Sequence, residues 1–109
     1  MTDLFEEIAS LDKLIHEPAR LAILTALSAC QSADFLFLSR LTGLSKGNLS
    51  GHLSKLEQAN LVQIEKQFID KKPNTQISLT EDGRSAIERH WQQLNNLRNG
   101  AQTWHPEET

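Results

Sequence analysis

The chain has one cysteine, no tyrosine, three prolines and no long hydrophobic run. Each shortage removes a class of protein. A lone thiol, Cys30, closes no internal disulfide and supplies no multi-thiolate metal site, so the fold must rest on its apolar core. A membrane span needs roughly 20 consecutive apolar residues, and no stretch approaches that. The N-terminus opens with Asp3, Glu6 and Glu7 rather than a basic segment followed by an apolar one. No secretory signal is therefore expected, and a cytoplasmic location follows. Without a secretory route, the Asn48-Leu49-Ser50 glycosylation sequon reads as chance.

What remains is the composition of an ordinary globule: 109 residues, 39% hydrophobic and 23% charged, enough for one domain spanning 1–109 with its own core. The net charge of -3 argues at first against a polyanionic partner, but its distribution matters more than its sum. Residues 1–39 set Lys13 and Arg20 against Asp3, Glu6, Glu7, Asp12, Glu17 and Asp34. Residues 40–72 reverse the balance, with Arg40, Lys46, Lys55, Lys66, Lys71 and Lys72 against Glu57, Glu65 and Asp70. An excess this small implies modest, salt-sensitive affinity for a polyanion.

Periodicity divides the chain into elements. Leu4, Ile8, Leu11 and Ile15 recur at helical spacing, which predicts a first helix over 3–15. Pro18 suits the first turn of a second helix, carried by Leu21, Ile23, Leu24 and Leu27 to about Ala29. Asp34 is placed to cap a third helix that turns Phe35, Leu38 and Leu41 inward and ends at Gly43. Ser45 then caps a fourth helix, about 45–60, with only Gly43 and Leu44 between the two. That is the tight connection of a helix-turn-helix. Leu49, Leu53 and Leu56 form its inward stripe.

From Leu61 the period becomes two. Val62, Ile64, Lys66 and Phe68 share one face, Ile77 and Leu79 alternate further on, and Asp70-Lys71-Lys72-Pro73-Asn74 has turn composition. A hairpin over about 61–79 with a basic tip is expected. Thr80, Glu81 and Asp82 open a final helix over about 80–101 with a stripe of Ile87, Trp91, Leu94, Leu97 and Ala101. The tail from Trp104 onward is expected to be loose. The fold class is thus mainly α with a small β-hairpin, an α+β arrangement.

A helix enters the major groove of DNA when its outer face lacks bulky apolar groups and offers short polar side chains near its N-terminus. The fourth helix meets both conditions. Lys46, Gly47, Ser50, Gly51 and Ser54 are candidates for base contact or close approach, and Ser45, Asn48, His52 and Lys55 for phosphates. Lys71 and Lys72 would reach phosphates or an adjacent minor groove. Taken singly, each residue is better read as part of a solvated face; the combination is what points to DNA. Gly47 and Gly51 each cost about 1 kcal/mol inside a helix; close approach of DNA is one reason to keep them, simple tolerance another.

Three segments carry a family resemblance: His16-Glu17-Pro18-Ala19-Arg20-Leu21-Ala22-Ile23-Leu24, the run from Leu44 to Glu57, and Leu79-Thr80-Glu81-Asp82-Gly83-Arg84. Together, over about residues 11–95, they resemble small winged helix-turn-helix transcriptional regulators of the MarR and ArsR type. The resemblance implies a homodimer on a two-fold symmetric operator, with the first and last helices as dimerisation helices. Leu4, Ile8 and Leu11 would meet Trp91, Leu94 and Leu97 there, because an exposed apolar stripe of that size is a liability in a monomer. Gly51 departs from the family pattern, where a long polar or basic residue is common, so little base readout is expected at it.

Many ArsR-like proteins sense metals through paired cysteines or histidine clusters. Here Cys30 is alone, and His16, His52, His90 and His105 show no close ligand spacing, so no metal and no cofactor is expected. No nucleophile, base and acid recur at recognisable spacing, so an enzyme is not expected either. The sequence reading is a sequence-specific DNA-binding transcriptional regulator, with double-stranded DNA and a second copy as partners. A winged helix that binds protein and a sensor of an unknown small-molecule effector are its alternatives.

Overall fold

The computed structural model describes residues 3–108; Met1, Thr2 and Thr109, the ends of the expected 1–109 domain, lie outside them. Helix α1 spans Leu4–Ala9, α2 Pro18–Ala29, α3 Phe35–Thr42, α4 Lys46–Gln58 and α5 Glu81–Gln102. Strands β1 (Ala33–Asp34), β2 (Val62–Ile69) and β3 (Lys72–Leu79) form an antiparallel sheet in the order β1-β3-β2.

The core sits where α2 meets α3, α4 and the inner end of the sheet. Ile23, Leu24 and Leu27 of α2, Leu38 of α3, Leu49, Leu53 and Leu56 of α4, and Ile77 and Ile87 are all buried. The inward stripe expected of α4 is therefore the observed one. Local chemistry sets the helix ends. Asp34 accepts from the Phe37 amide at 2.7 Å, Ser45 from Asn48 at 3.2 Å and Thr80 from Gly83 at 2.9 Å, each satisfying an amide the helix leaves unpaired. Gly43 closes α3 with a left-handed φ of 73°, the conformation that favours glycine.

The far end of α4 is closed by Asn60, whose φ is 62°. The amide of Leu61 donates to Leu56 O and that of Asn60 to Glu57 O, both at 2.9 Å. Leu56 and Leu61, brought together by this turn, are both buried, which completes a Schellman stop. Thr80 then ties the hairpin's exit to it, its amide donating to Leu61 O at 3.1 Å and its hydroxyl to Asn60 O at 2.6 Å. Gly83 lies so close that a Cβ there would overlap the Leu61 carbonyl. This junction welds the end of α4 to the start of α5.

Five expectations differ from the structure. The first helix stops at Ala9 instead of running to residue 15. Asp12 redirects the chain, its side chain accepting from the Leu14 amide at 2.9 Å; such local bonding competes with the helix. Leu11 and Ile15 reach the interior from the loop that results. Second, β1 is an unforeseen edge strand, Ala33 pairing with Ile77 and Asp34 with Gln76. Third, Leu41 is 54% exposed rather than inward, because α3 has only eight residues and Leu38 alone occupies the buried position. Fourth, the hairpin turn is tighter than its composition suggests. Only Asp70 and Lys71 lie in it, with φ of 50° and 66°, while Lys72 pairs with Ile69 and Pro73 with Phe68. Two consecutive left-handed residues are the turn that matches strand twist. Fifth, the tail is not loose at Trp104: its ring meets Phe5 edge-on at 5.1 Å, and Pro106–Glu108 forms a short 3-10 turn.

Candidate nucleic-acid interface

Helix α4 presents two unlike flanks. Leu49, Leu53 and Leu56 are buried, whereas Ser45, Lys46, Gly47, Asn48, Ser50, Gly51, Ser54 and Lys55 are all exposed. Over Gly47 and Gly51 nothing among the described residues would come within 4 Å of an added Cβ. No packing inside the chain therefore calls for glycine at either position, and the flank is a smooth, small-residue surface. The helix N-terminus opens onto the same side at Ser45, where unpaired amides favour an anion.

Beside this flank runs a groove of about 640 Å³, shared with the hairpin; Ser50, Ser54, Ile64, Lys66 and Thr75 line it. Ile64 and Lys66 are on one face of β2, and Ile77 and Thr75 stand opposite them on β3. That face of the hairpin thus looks toward α4, and continues outward to Phe68 and Pro73. Lys71 and Lys72 are exposed at the tip, at the end of the hairpin farthest from the core.

His52 does not belong with the outer residues. It is half-buried and faces α2, where Arg20 Nη1 donates to its Nδ1 at 3.1 Å. That ring nitrogen is thus engaged inside the chain, since position 52 lies next to the buried stripe rather than across from it. Arg20 is itself buried. Its Nε donates to Leu14 O at 2.6 Å, its Nη2 to Lys13 O at 3.3 Å, and its Nη1 lies 3.9 Å from Glu17 Oε2. One guanidinium therefore pins the loop before α2 to the middle of α4. Partial burial alone would push the Glu17 carboxyl up, but the amides of Arg20 and Ala19 that it accepts from, with the adjacent His52 and Arg20 charges, hold it below its ordinary value.

The same loop touches α5. His16 Nδ1 lies 3.0 Å from His90 Nε2, a pairing that the spacing of the histidines in sequence did not reveal. His90 is 3% exposed. Burial first, and then the neighbouring His16, hold its pKa below the ordinary value, against a smaller opposing pull from Asp12. Among the described residues no three metal-ligating side chains converge. Glu88 is exposed and His90 buried, so the two point to different sides of α5, as their separation by two requires. Cys30 is half-buried at the end of α2.

The candidate interface residues on the outer helices divide. Leu11 and Leu97 are already buried within the chain. Leu4 is half-buried against Gly100 of α5, and Leu94 is half-buried as well. Ile8 is 39% and Trp91 45% exposed, the latter with its Nε1 donating to Thr25 Oγ1 at 2.9 Å.

A family model described as a winged helix DNA-binding domain matches residues 19–97, from the start of α2 through most of α5. The chain belongs to that family. An uncharacterized protein of Methanocaldococcus jannaschii is 32% identical over 78 residues, 72% of this chain and 85% of that protein. Among solved structures, a transcriptional regulator homologue from Pyrococcus horikoshii OT3 superposes with a TM-score of 0.83 at 27% identity, covering 92% of this chain and 98% of that one. A MarR-family regulator from Silicibacter pomeroyi shares the fold, with a TM-score of 0.64 at 24% identity over 96% of this chain and 68% of its own. In this winged helix protein α3 and α4 are the helix-turn-helix and the β2–β3 hairpin is the wing. None of its helices, among the described residues, is long and apolar enough to cross a membrane.

Proposed function

We propose that the chain is a sequence-specific, DNA-binding transcriptional regulator that acts as a homodimer on a two-fold symmetric operator. The observation that carries the reading is the bare outer flank of α4, where Lys46, Gly47, Ser50, Gly51 and Ser54 are exposed and nothing fills the space over the glycines. A flank without bulky groups lets the helix sink toward base edges, while Ser45, Asn48 and Lys55 meet phosphates at its margins. Lys71 and Lys72 extend the footprint through the wing.

The homodimer is supported by what protrudes. The radius of gyration is 17.0 Å, against roughly 13 Å for a compact domain of this length. Helix α5 runs 22 residues, and Ile8, Trp91 and Phe5 remain exposed beside it. A second copy burying Leu4, Ile8, Trp91 and Leu94 would remove that apolar surface from water; Leu11 and Leu97 would support the interface from beneath.

Selection from a randomised duplex pool tests both halves. The expected product is a two-fold symmetric site whose half-sites are about 10 base pairs apart centre to centre, matching recognition helices roughly 34 to 36 Å apart. Retention of no duplex at low salt would remove the DNA reading, and a stable monomer at micromolar concentration in sedimentation would remove the dimer. A protein-binding winged helix is the second reading, favoured by the exposed Leu36, Phe37 and Leu41 on α3. It predicts no salt-steep loss of duplex affinity.

A further inference from the structure

Among the exposed large apolar side chains Phe68 stands apart. It is 77% exposed, more than Leu36, Leu41, Ile69, Trp91 or Phe5. It is carried near the tip of the wing, away from the surface where a second copy would sit. Its cross-strand partner is Pro73, so two apolar groups share one face at the end of the hairpin. That face also bears Ile64, Lys66 and Thr75, which line the groove beside Ser50 and Ser54 of α4. The aromatic ring therefore projects on the side of the sheet that the recognition helix occupies.

We propose that Phe68, backed by Pro73, is an apolar wedge that enters the minor groove next to the major groove read by α4, partly unstacking one base step and bending the duplex. The inference rests on the DNA-binding reading of α4. Proteins that deform DNA from the minor groove insert such side chains between base steps, and a ring left in water by the folded chain becomes buried when it does so. The reach fits. Phe68 lies four residues beyond Ile64, about 13 Å at the rise of a strand, while the neighbouring minor groove is half a helical turn, roughly 17 Å, from the major groove. The charge fits as well: Lys66 shares the face of the ring, Lys71 lies in the turn and Lys72 on the opposite face beside it, with Asp70 as the one carboxylate in the turn. Ile69 is half-exposed but pairs with Lys72 on the opposite face, so it takes no part in the wedge.

The test uses the full chain and a 30-base-pair duplex carrying the sequence enriched from the randomised pool, with donor and acceptor dyes at its ends. The wild-type protein is expected to bend this duplex by about 20° or more. Phe68→Ala should abolish most of the bend and weaken binding about tenfold, in the range of a lost base–aromatic contact. Phe68→Leu should keep most of the bend, because an aliphatic group also wedges. Ile69→Ala should leave bend and affinity unchanged. Phe68 packs on no core residue, so these variants are expected to melt within a few degrees of the wild type. A Phe68→Ala protein that binds and bends like the wild type overturns the wedge and leaves the recognition helix intact as a reading. A wild type that enriches no duplex overturns both. If Phe68→Ala instead abolishes binding to phosphatidylserine vesicles while duplex binding and bending are unchanged, the tip serves a lipid surface and the wedge is overturned.

Discussion

Glycine occupies two opposite kinds of place around α4. At the junction beyond its C-terminus Gly83 is walled in, with the Leu61 carbonyl standing where a Cβ would go. On its outer flank Gly47 and Gly51 look into open space. The packed glycine serves the fold, since it lets the start of α5 close onto the end of α4. The two open glycines have no such reason, and each weakens the helix by about 1 kcal/mol relative to alanine. A cost with no return inside the chain points outward, to a surface that must come close.

Substitution at the two places should therefore have opposite signs, and the largest effect belongs to the packed one. Gly83→Ala is expected to destabilise the protein by about 3 kcal/mol or more, because the new methyl meets backbone rather than a side chain that can swing away. Chemical denaturation measures it; a variant as stable as the wild type would mean that the junction gives way easily and does not hold α5 on α4. Next comes Arg20→Met, which leaves the carbonyls of Leu14 and Lys13 without the donors they now have. Losing the donors to these part-buried acceptors costs about 1 kcal/mol, and the loss should appear in the same denaturation series.

Gly47→Ala and Gly51→Ala sharpen the comparison from the other side. Each is expected to raise stability by up to about 1 kcal/mol while weakening duplex binding, a split that no packing role produces. If the two variants bind DNA as tightly as the wild type, the open glycines are merely tolerated. A double Lys71→Ala, Lys72→Ala variant should retain its stability and lower the salt dependence of binding by a slope of at most about 2.

The smallest effect is a pH dependence. His90 is held below its ordinary value of 6.5 in the folded state, so the unfolded chain binds more protons just below that value. Its contribution is thus complete above pH 6.5 and is lost as pH falls toward the folded pKa. Glu17, held below its ordinary 4.5, acts in the same direction further down, its contribution present above pH 4.5 and lost as pH falls through the folded value. The groups facing His90 include His16 and Asp12, so a His16→Gln variant should flatten the upper part of the curve first. Melting midpoints between pH 7.5 and 5 read this; an unchanged slope in the variant would dissociate the pair from the effect.

Features that depend on near neighbours were legible in advance. Asp34, Ser45 and Thr80 cap the helices they precede, and Gly43 takes the left-handed position, because a capping bond spans only three residues. The leucine stripe of α4 and the polar flank across from it followed from a period that the chain cannot escape. Contacts between distant segments were not legible. His16 and His90 are 74 positions apart, and Arg20 and His52 are 32 apart. The two-residue β1 is too short to show a period, and Asp12 broke a helix whose apolar spacing ran on without interruption.

The order of elements, their capping chemistry and the bare flank of α4 were thus written into residue spacing, where each choice is settled within one or two helical turns. Packing alone turned His52 away from that flank toward Arg20, walled in Gly83, and carried Phe68 to the side of the sheet that α4 occupies. Those outcomes depend on which surfaces meet when separate elements close around one core. Spacing along a chain carries no record of them, because the residues involved become neighbours only in three dimensions.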